Sequence, residues 1–203
     1  MRELQTLSTL IRSKKKSDLI FDFDETLFYL ELPWNRYVDG LCQIPEVQTS
    51  PLVAHYRSGQ LSLSVLQNRL VEEGGSSMLQ KIRAYNIAFE TNNLTQVEAY
   101  DDLVEFVRTI KDKRLYLWTS NNSKTVTTVL ESYDMTSVFK KIANRLNLTF
   151  IKPHPEGFTY IADPKTPKTR YLMIGNSWLD RDAAIAAGIE YYQINYFNER
   201  NRK

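Results

Sequence analysis

The sequence predicts an α/β fold: a parallel sheet with helices on both faces, interrupted after its first strand by an all-helical unit. Three observations carry this. Short apolar runs at 18–24, 114–119, 170–174 and 190–194 have the length of buried strands. Polar residues and then a helical pattern follow the runs, the alternation that a parallel sheet with crossover helices requires. Between 28 and 96 the texture changes, and helical patterns succeed one another with no strand pattern among them.

Each element has its own signal. Leu4, Leu7, Leu10 and Ile11 share one face over 3–12, which predicts an amphipathic helix docked on the core. In the inserted unit, helices are expected over 51–56, 61–72 (Leu63, Leu66, Leu70) and 77–89 (Leu79, Ile82, Tyr85, Phe89). Gly59, Gly74 and Gly75 punctuate them. After Val97 a helix over 101–112 turns Leu103, Phe106, Val107 and Ile110 inward, and 114–119 forms the second strand. Ser123 caps a helix to about 133. Residues 137–152 predict a short helix and a weak strand, with polar residues at 144–147 blurring the boundary. A helix at 155–162, a strand at 170–174, an alanine-rich helix at 179–187 closed by Gly188 and a strand at 190–194 complete the pattern. The expected division is a core of 1–27 with 97–203 and a helical domain of 28–96.

Composition narrows the function classes. The 203 residues suit one medium domain carrying an insertion, and 42% hydrophobic with 12% aromatic residues suffices for a core. The net charge of +2, from 26 basic and 24 acidic residues, argues against a dedicated polyanion binder, so no nucleic-acid partner is expected. Lys14, Lys15 and Lys16 read as a solvated turn. Cys42 stands alone, so no intrachain disulfide can form and a reducing, cytoplasmic setting is expected. No apolar stretch reaches the roughly 18 residues of a membrane span, the first residues lack a secretory pattern, and no Cys/His cluster suggests zinc. No membrane partner is expected, and the pattern leaves the oligomeric state open.

Chemistry concentrates at the predicted strand ends. The first delivers Asp22 and Asp24, the second Ser120, and the third Asn176, Ser177 and Asp180. Lys152 lies between the second and third, in Ile151-Lys152-Pro153. Adjacent parallel strands bring such residues to one rim, where ligands of open α/β sheets bind. The set does not fit a serine triad, because His55 and His154 have no partner at motif spacing. Neither GxGxxG nor GxxxxGK[ST] occurs. It does fit phosphoryl transfer to an aspartate: one carboxylate attacks, a second moves the proton, and Mg2+ offsets the clustered charge. Ser120 and Lys152 then hold phosphoryl oxygens.

On these residues the chain resembles the haloacid dehalogenase superfamily. Leu19-Ile20-Phe21-Asp22-Phe23-Asp24-Glu25-Thr26-Leu27 meets its first motif, and the strand ending in Ser120 its second. Lys152-Pro153-His154-Pro155-Glu156-Gly157-Phe158 is similar to its lysine motif. Gly175-Asn176-Ser177-Trp178-Leu179-Asp180 opens the fourth, which runs to Gly188. The resemblance implies a Rossmann-like three-layer core with an inserted helical cap. It also implies a phosphatase whose nucleophile is Asp22 and whose general acid/base is Asp24. Thr26 (which also helps hold the turn), Ser120, Asn121 and Lys152 would bind the phosphoryl group. Asp22, Asp24, Asn176 and Asp180 would hold Mg2+. The departure is Asn176, where the family usually has aspartate. The implied substrate is a small phosphorylated metabolite, since a lid over the rim restricts access. A phosphotransferase or mutase, or a weakly active phosphate-binding homologue, remains an alternative. Arg36, Arg57, Arg69 and Tyr85 are candidate contacts to the leaving group. Lys81 is the sole lysine of the insertion, and Trp34, Trp118 and Trp178 read as packing.

Overall fold

The computed structural model describes residues 2–197; residues 1 and 198–203 of the expected core lie outside them. An N-terminal helix α1 (Arg2–Ser13) precedes β1 (Asp18–Phe21), and β2 (Phe28–Glu31) follows. Helices α2 (Tyr37–Leu41), α3 (Pro45–Gln48), α4 (Pro51–Arg57) and α5 (Leu63–Asn93) then lead to β3 (Gln96–Ala99). The chain continues through α6 (Asp101–Thr109), β4 (Arg114–Trp118), α7 (Ser123–Ser132), β5 (Lys141–Ala143) and α8 (Glu156–Ile161). It ends with β6 (Tyr171–Gly175), α9 (Trp178–Ala187) and β7 (Glu190–Gln193).

Five strands form one parallel sheet in the order β5-β4-β1-β6-β7. The central strand β1 is buried along its whole length, which is why it reads as an unbroken apolar run. Alternate side chains supply the two faces. Leu19, Phe21, Leu115, Leu117, Leu172 and Ile174 pack against α1, α6 and α7, whereas Ile20, Tyr116, Trp118, Tyr171 and Met173 pack against α8 and α9. The result is the expected three-layer α/β core. From β1 the chain winds outward through β4 and β5, then crosses to β6 and β7 on the other side. Its direction of winding therefore reverses at β1, and the carboxyl end of β1 opens into the crevice where such sheets bind ligands.

The helical unit has its own apolar core, including Tyr37, Leu41, Val53, Leu66, Leu70, Ile82 and Phe89. The two long helices expected here are one run, α5, broken at Gly75. There the backbone adopts φ 60°, a conformation glycine takes without a Cβ penalty. Two expectations fail. No helix forms within 137–152, where only β5 is regular. The stretch from 28 to 96 is not free of strands either: β2 and β3 pair antiparallel as a ribbon that opens and closes the insertion. Each strand is four residues long and finds its partner 65 to 71 positions away, so no local pattern announces the pair. Phe28 and Leu30 pack into the main core.

A third expectation fails at the foot of the sheet. Lys16 is buried rather than solvated: its ammonium donates to the carbonyls of Thr169 and Tyr171 and to Glu190. Nearby, Arg114 pairs bidentately with buried Asp18 at 2.6 and 2.7 Å, and Ser17 and Tyr116 complete the shell of that carboxylate. Among the described residues no helix is long and apolar enough to cross a membrane.

Removing one partner of a buried ion pair leaves the other charge uncompensated. Arg114→Met is expected to lower the unfolding free energy by about 2 kcal/mol, the part-exposed arginine keeping the cost at the lower end. A urea denaturation midpoint unchanged from wild type would contradict this.

Candidate active site

The carboxyl end of β1 positions the first two carboxylates. The Asp22 N–H donates to the Ile174 carbonyl at 2.8 Å, extending the ladder one residue beyond β1. The next residues turn back tightly, with Thr26, Leu27 and Phe28 N–H groups all directed at the Phe23 carbonyl. Asp24 is half-buried and accepts from the Leu30 N–H at 3.0 Å, so the ribbon strand β2 orients it. Glu25 sits at the apex with φ 56°, a left-handed conformation that a residue with a Cβ adopts at a cost of about 1 kcal/mol.

Lys152 closes the other side. It is buried, and its ammonium donates to both Asp22 and Asp180. Asp180 is fully buried and has no spare oxygen: its second oxygen accepts from the Ser177 N–H (3.0 Å) and hydroxyl (2.7 Å), closing a capping box at the start of α9. This close packing requires Gly175, since a Cβ there would lie 2.5 Å from the Asp180 carboxyl carbon. The loop carrying Lys152 is clasped by α5, where Asn68 exchanges two hydrogen bonds with the Ile151 backbone at 2.8 and 2.9 Å.

These residues face a cavity of about 310 Å³ lined by Asp22, Asp24, Glu25, Ser120, Asn121, Lys152 and Asn176 from the core. Trp34, Leu63, Ser64 and Gln67 contribute from the helical unit, and Arg145, Ser177 and Leu179 complete the wall. The Ser120 hydroxyl is shielded from water and has no hydrogen-bond partner, although buried hydroxyls normally find one. Asn121 is held in place by Thr119.

Burial governs the titration of the carboxyl pair. It raises Asp22 to about 7, helped by the neighbouring Asp180 charge and opposed by Lys152. Burial also raises Asp24 well above the usual carboxylate range, with the charges of Glu25, Asp22 and Glu90 adding to it and the Leu30 N–H opposing. Lys152 is raised despite its burial, because two carboxylates hold its proton.

Not every expected residue reaches the cavity. Thr26 is completely buried and donates to Asp22 at 3.1 Å, so it orients that carboxylate and leaves phosphate contact to others. Asp180 accepts from Lys152 and Ser177, so it is placed to position the lysine. Asn176 does line the cavity, and its amide donates to Glu25 at 2.9 Å. Arg36, Arg57 and Arg69 are exposed and lie away from the cavity, while Tyr85 bonds the Tyr37 carbonyl. Lys81 pairs with Glu46. Trp118 is core and Trp178 is 45% exposed, but Trp34 is part of the cavity wall. The motif reading passed over Glu25, Gln67 and Arg145. Only Glu25 had a local signal, as a charged residue inside the first motif.

Residues 19–194 match the profile of the haloacid dehalogenase-like hydrolases. The chain belongs to this family. No curated protein matches it. Among solved structures, a predicted phosphoglycolate phosphatase from Haemophilus somnus 129PT superposes with TM-score 0.58 at 19% identity, covering 90% of this chain and 86% of its own. L-2-haloacid dehalogenase from Xanthobacter autotrophicus gives 0.56 at 12% identity, covering 88% and 77%. A HAD-hydrolase from Bacillus subtilis, bound to magnesium, gives 0.51 at 21% identity, covering 89% and 87%. At these identities the likeness concerns the fold; the family itself is one of hydrolases.

The raised Asp22 carboxyl has a consequence for stability. With a folded value above the ordinary 3.8, the native state binds the extra proton between about pH 4 and 7. The cost of burying the charged form is thus absent at the acid end and complete above about 7. In chelator-treated protein, Asp22→Asn is expected to gain stability relative to wild type as pH rises from about 5 to 8. Urea unfolding at both pH values reads this, and a constant or reversed difference would count against it.

Proposed function

We propose that this hydrolase cleaves a small phosphate monoester through an aspartyl-phosphate on Asp22, with Mg2+ as cofactor. The observation that carries the reading is the meeting, on one cavity, of an ordered carboxylate, a second carboxyl group that burial raises well above the usual carboxylate range, a buried ammonium and an unpartnered hydroxyl.

The residues divide the work. Thr26 and Lys152 hold the Asp22 carboxylate, so one face is presented to phosphorus without a rotamer search. Asp22 attacks, the P–O bond to the leaving group breaks, and Asp24 protonates the departing alkoxide. The Asp24 carboxylate so formed then takes a proton from the water that cleaves the acyl phosphate, and Asp22 is restored. Lys152, Ser120 and Asn121 border the space where the phosphoryl oxygens gather charge, and preorganised donors there favour the transition state. A haloacid dehalogenase mechanism has no need of a second carboxyl group beside the nucleophile, and Asp24 therefore favours the phosphatase reading.

The donors suit a hard cation: the Asp22 carboxylate, the Asp24 main-chain carbonyl and Asn176 all offer oxygen. Among the described residues no three His, Cys, Asp or Glu side chains gather tightly enough to form a cage. The three oxygen donors suit Mg2+, a hard cation that binds through one or two carboxylates and keeps waters and phosphate oxygens. When bound, the ion supplies positive charge that offsets the phosphoryl oxygens. Glu25, bonded to Asn176, places one negative charge where that residue brings none. The expected substrate is a small metabolite, with neither nucleic acid nor membrane as partner, in a reducing compartment such as the cytoplasm.

Purified protein is expected to release inorganic phosphate from p-nitrophenyl phosphate only with Mg2+ present. Asp22→Asn should lower kcat by at least about 10³-fold and Asp24→Asn by about 10²–10⁴-fold. Hydrolysis that survives in Asp22→Asn would sink the covalent mechanism, and transfer of phosphate to an added alcohol in place of release would favour a phosphotransferase. Glu25→Gln should raise the Mg2+ concentration for half-maximal activity about tenfold, the lower end of the effect expected for a group acting beside a ligand. An unchanged Mg2+ requirement would remove Glu25 from the account.

A further inference from the structure

The segment that delivers Lys152 has no helix or sheet ladder of its own to hold it. Between the end of β5 and the start of α8, residues 144–155 are irregular, so their backbone groups must find other partners. Glu156 takes two of them, accepting from the Thr149 and Phe150 N–H groups at 2.9 and 2.8 Å. Others come from α5. Gln67 accepts from Arg145 at 2.6 Å, Arg83 donates to the Leu148 carbonyl at 2.8 Å, and Asn68 takes both backbone groups of Ile151.

Of these, Asn68 is the one placed against the lysine. Its Nδ2 donates to the Ile151 carbonyl at 2.8 Å, and its Oδ1 accepts the Ile151 N–H at 2.9 Å. One planar amide thus fixes a whole residue of backbone, and a single rigid peptide plane joins that residue to Lys152. The same carbonyl accepts from the His154 N–H at 3.0 Å, closing the turn that carries the lysine. Asparagine is a poor helix former inside a helix, and here its side chain serves the neighbouring loop. Asn68 does not line the 310 Å³ cavity, so any part it takes in the chemistry is exerted through Lys152.

We infer that Asn68 is a positioning residue: from the helical unit it fixes the loop backbone, so that the Lys152 ammonium stays at the phosphoryl site while Asp22 changes its bonding. The inference rests on the phosphatase reading for the chemistry that Lys152 serves. A lysine side chain carries about 2 kcal/mol of rotamer entropy, and its long stem places the ammonium only when the backbone beneath is fixed. In the resting site Asp22 and Asp180 both hold that ammonium. Once an Asp22 oxygen is bonded to phosphorus, Asp22 no longer offers a free carboxylate and Asp180 remains. The clasp on Ile151 then keeps the lysine within reach of the phosphoryl oxygens. The demand falls on the covalent steps more than on capture of the free ester.

The test measures p-nitrophenyl phosphate hydrolysis with Mg2+ by wild type, Asn68→Ala, Asn68→Asp and Arg83→Met. Asn68→Ala is expected to lower kcat about 10- to 10²-fold, the cost of an ångström-scale misplacement, with KM changed less than about threefold. Asn68→Asp keeps the acceptor for the Ile151 N–H and loses the donor, so its kcat should fall between. Arg83→Met removes a tie to the same loop at Leu148, farther from the lysine, and should keep kcat within about threefold of wild type. Alanine is the better helix former, so fraying of α5 does not account for a loss in Asn68→Ala. Amide exchange reads the clasp without turnover: the Ile151 N–H should exchange at least about tenfold faster in Asn68→Ala. An unchanged kcat in Asn68→Ala, a change confined to KM, an equal loss in Arg83→Met or an unchanged Ile151 exchange rate each overturns the positioning role. If Asn68→Ala fails to fold, as a thermal melt would show, Asn68→Asp decides on the same readings. A wild type without hydrolysis, together with faster exchange in Asn68→Ala, overturns the phosphatase reading alone; hydrolysis that Asn68→Ala leaves intact overturns the positioning role alone.

Discussion

Lys152 held between Asp22 and Asp180 is the contact on which the rest of the site depends. It ties together three segments far apart in sequence: the end of β1, the loop before α8 and the first turn of α9. Burying three ionisable groups is expensive unless each is paired, and here each is. Asp22 has Lys152 and Thr26, Asp180 has Lys152 and Ser177, and Lys152 has both acids. The balance is incomplete by design of the geometry, because two carboxylates face one ammonium. Burial, with the Asp180 charge adding to it, pushes the Asp22 carboxyl upward and makes the rim receptive to a proton or a cation.

The helical unit is fastened to this cluster by polar contacts as well as by packing. Asn68 holds the backbone of Ile151 beside Lys152, Arg83 donates to the Leu148 carbonyl at 2.8 Å, and Glu90 accepts from the start of α7. Asn68 lies on the segment of α5 before Gly75 and Arg83 and Glu90 on the segment after it, so both segments are tied to the core. The first segment, which also contributes Gln67 to the cavity wall, holds the lysine loop through Asn68.

Legibility followed the range of the interactions. Asp22, Asp24, Ser120, Lys152 and Asn176 were visible because each ends or follows a short apolar run, and strand ends in a parallel sheet share a rim. The five-strand order was less visible, since β5 has three residues and shows no clear apolar run. Thr26 and Asp180 were placed in the correct neighbourhood, but their partners were not apparent. Whether a hydroxyl faces a ligand or a neighbouring carboxylate depends on an angle that spacing does not encode. Lys16 looked like a member of a solvated basic run until the sheet closed over it and supplied carbonyls for its ammonium. Arg145 and Gln67 had no signal at all, for one lies in an irregular turn and the other on an ordinary amphipathic helix.

The amino-acid sequence by itself determined the α/β class, the helical insertion and the identity of the two carboxylates, because these depend on local periodicity and on residue type at a strand end. Tertiary structure alone decided which groups pair, which polar atoms are left without partners and what lines the cavity. Those outcomes rest on contacts between positions scores of residues apart: Lys152 with Asp22, Gln67 with Arg145, β2 with β3. Burial then alters the chemistry of the groups it encloses, raising Asp22 and Asp24 and leaving the Arg145 Nε without a hydrogen-bond partner. Burial is a property of the folded chain, since it is set by what lies around a side chain and not by its neighbours in sequence.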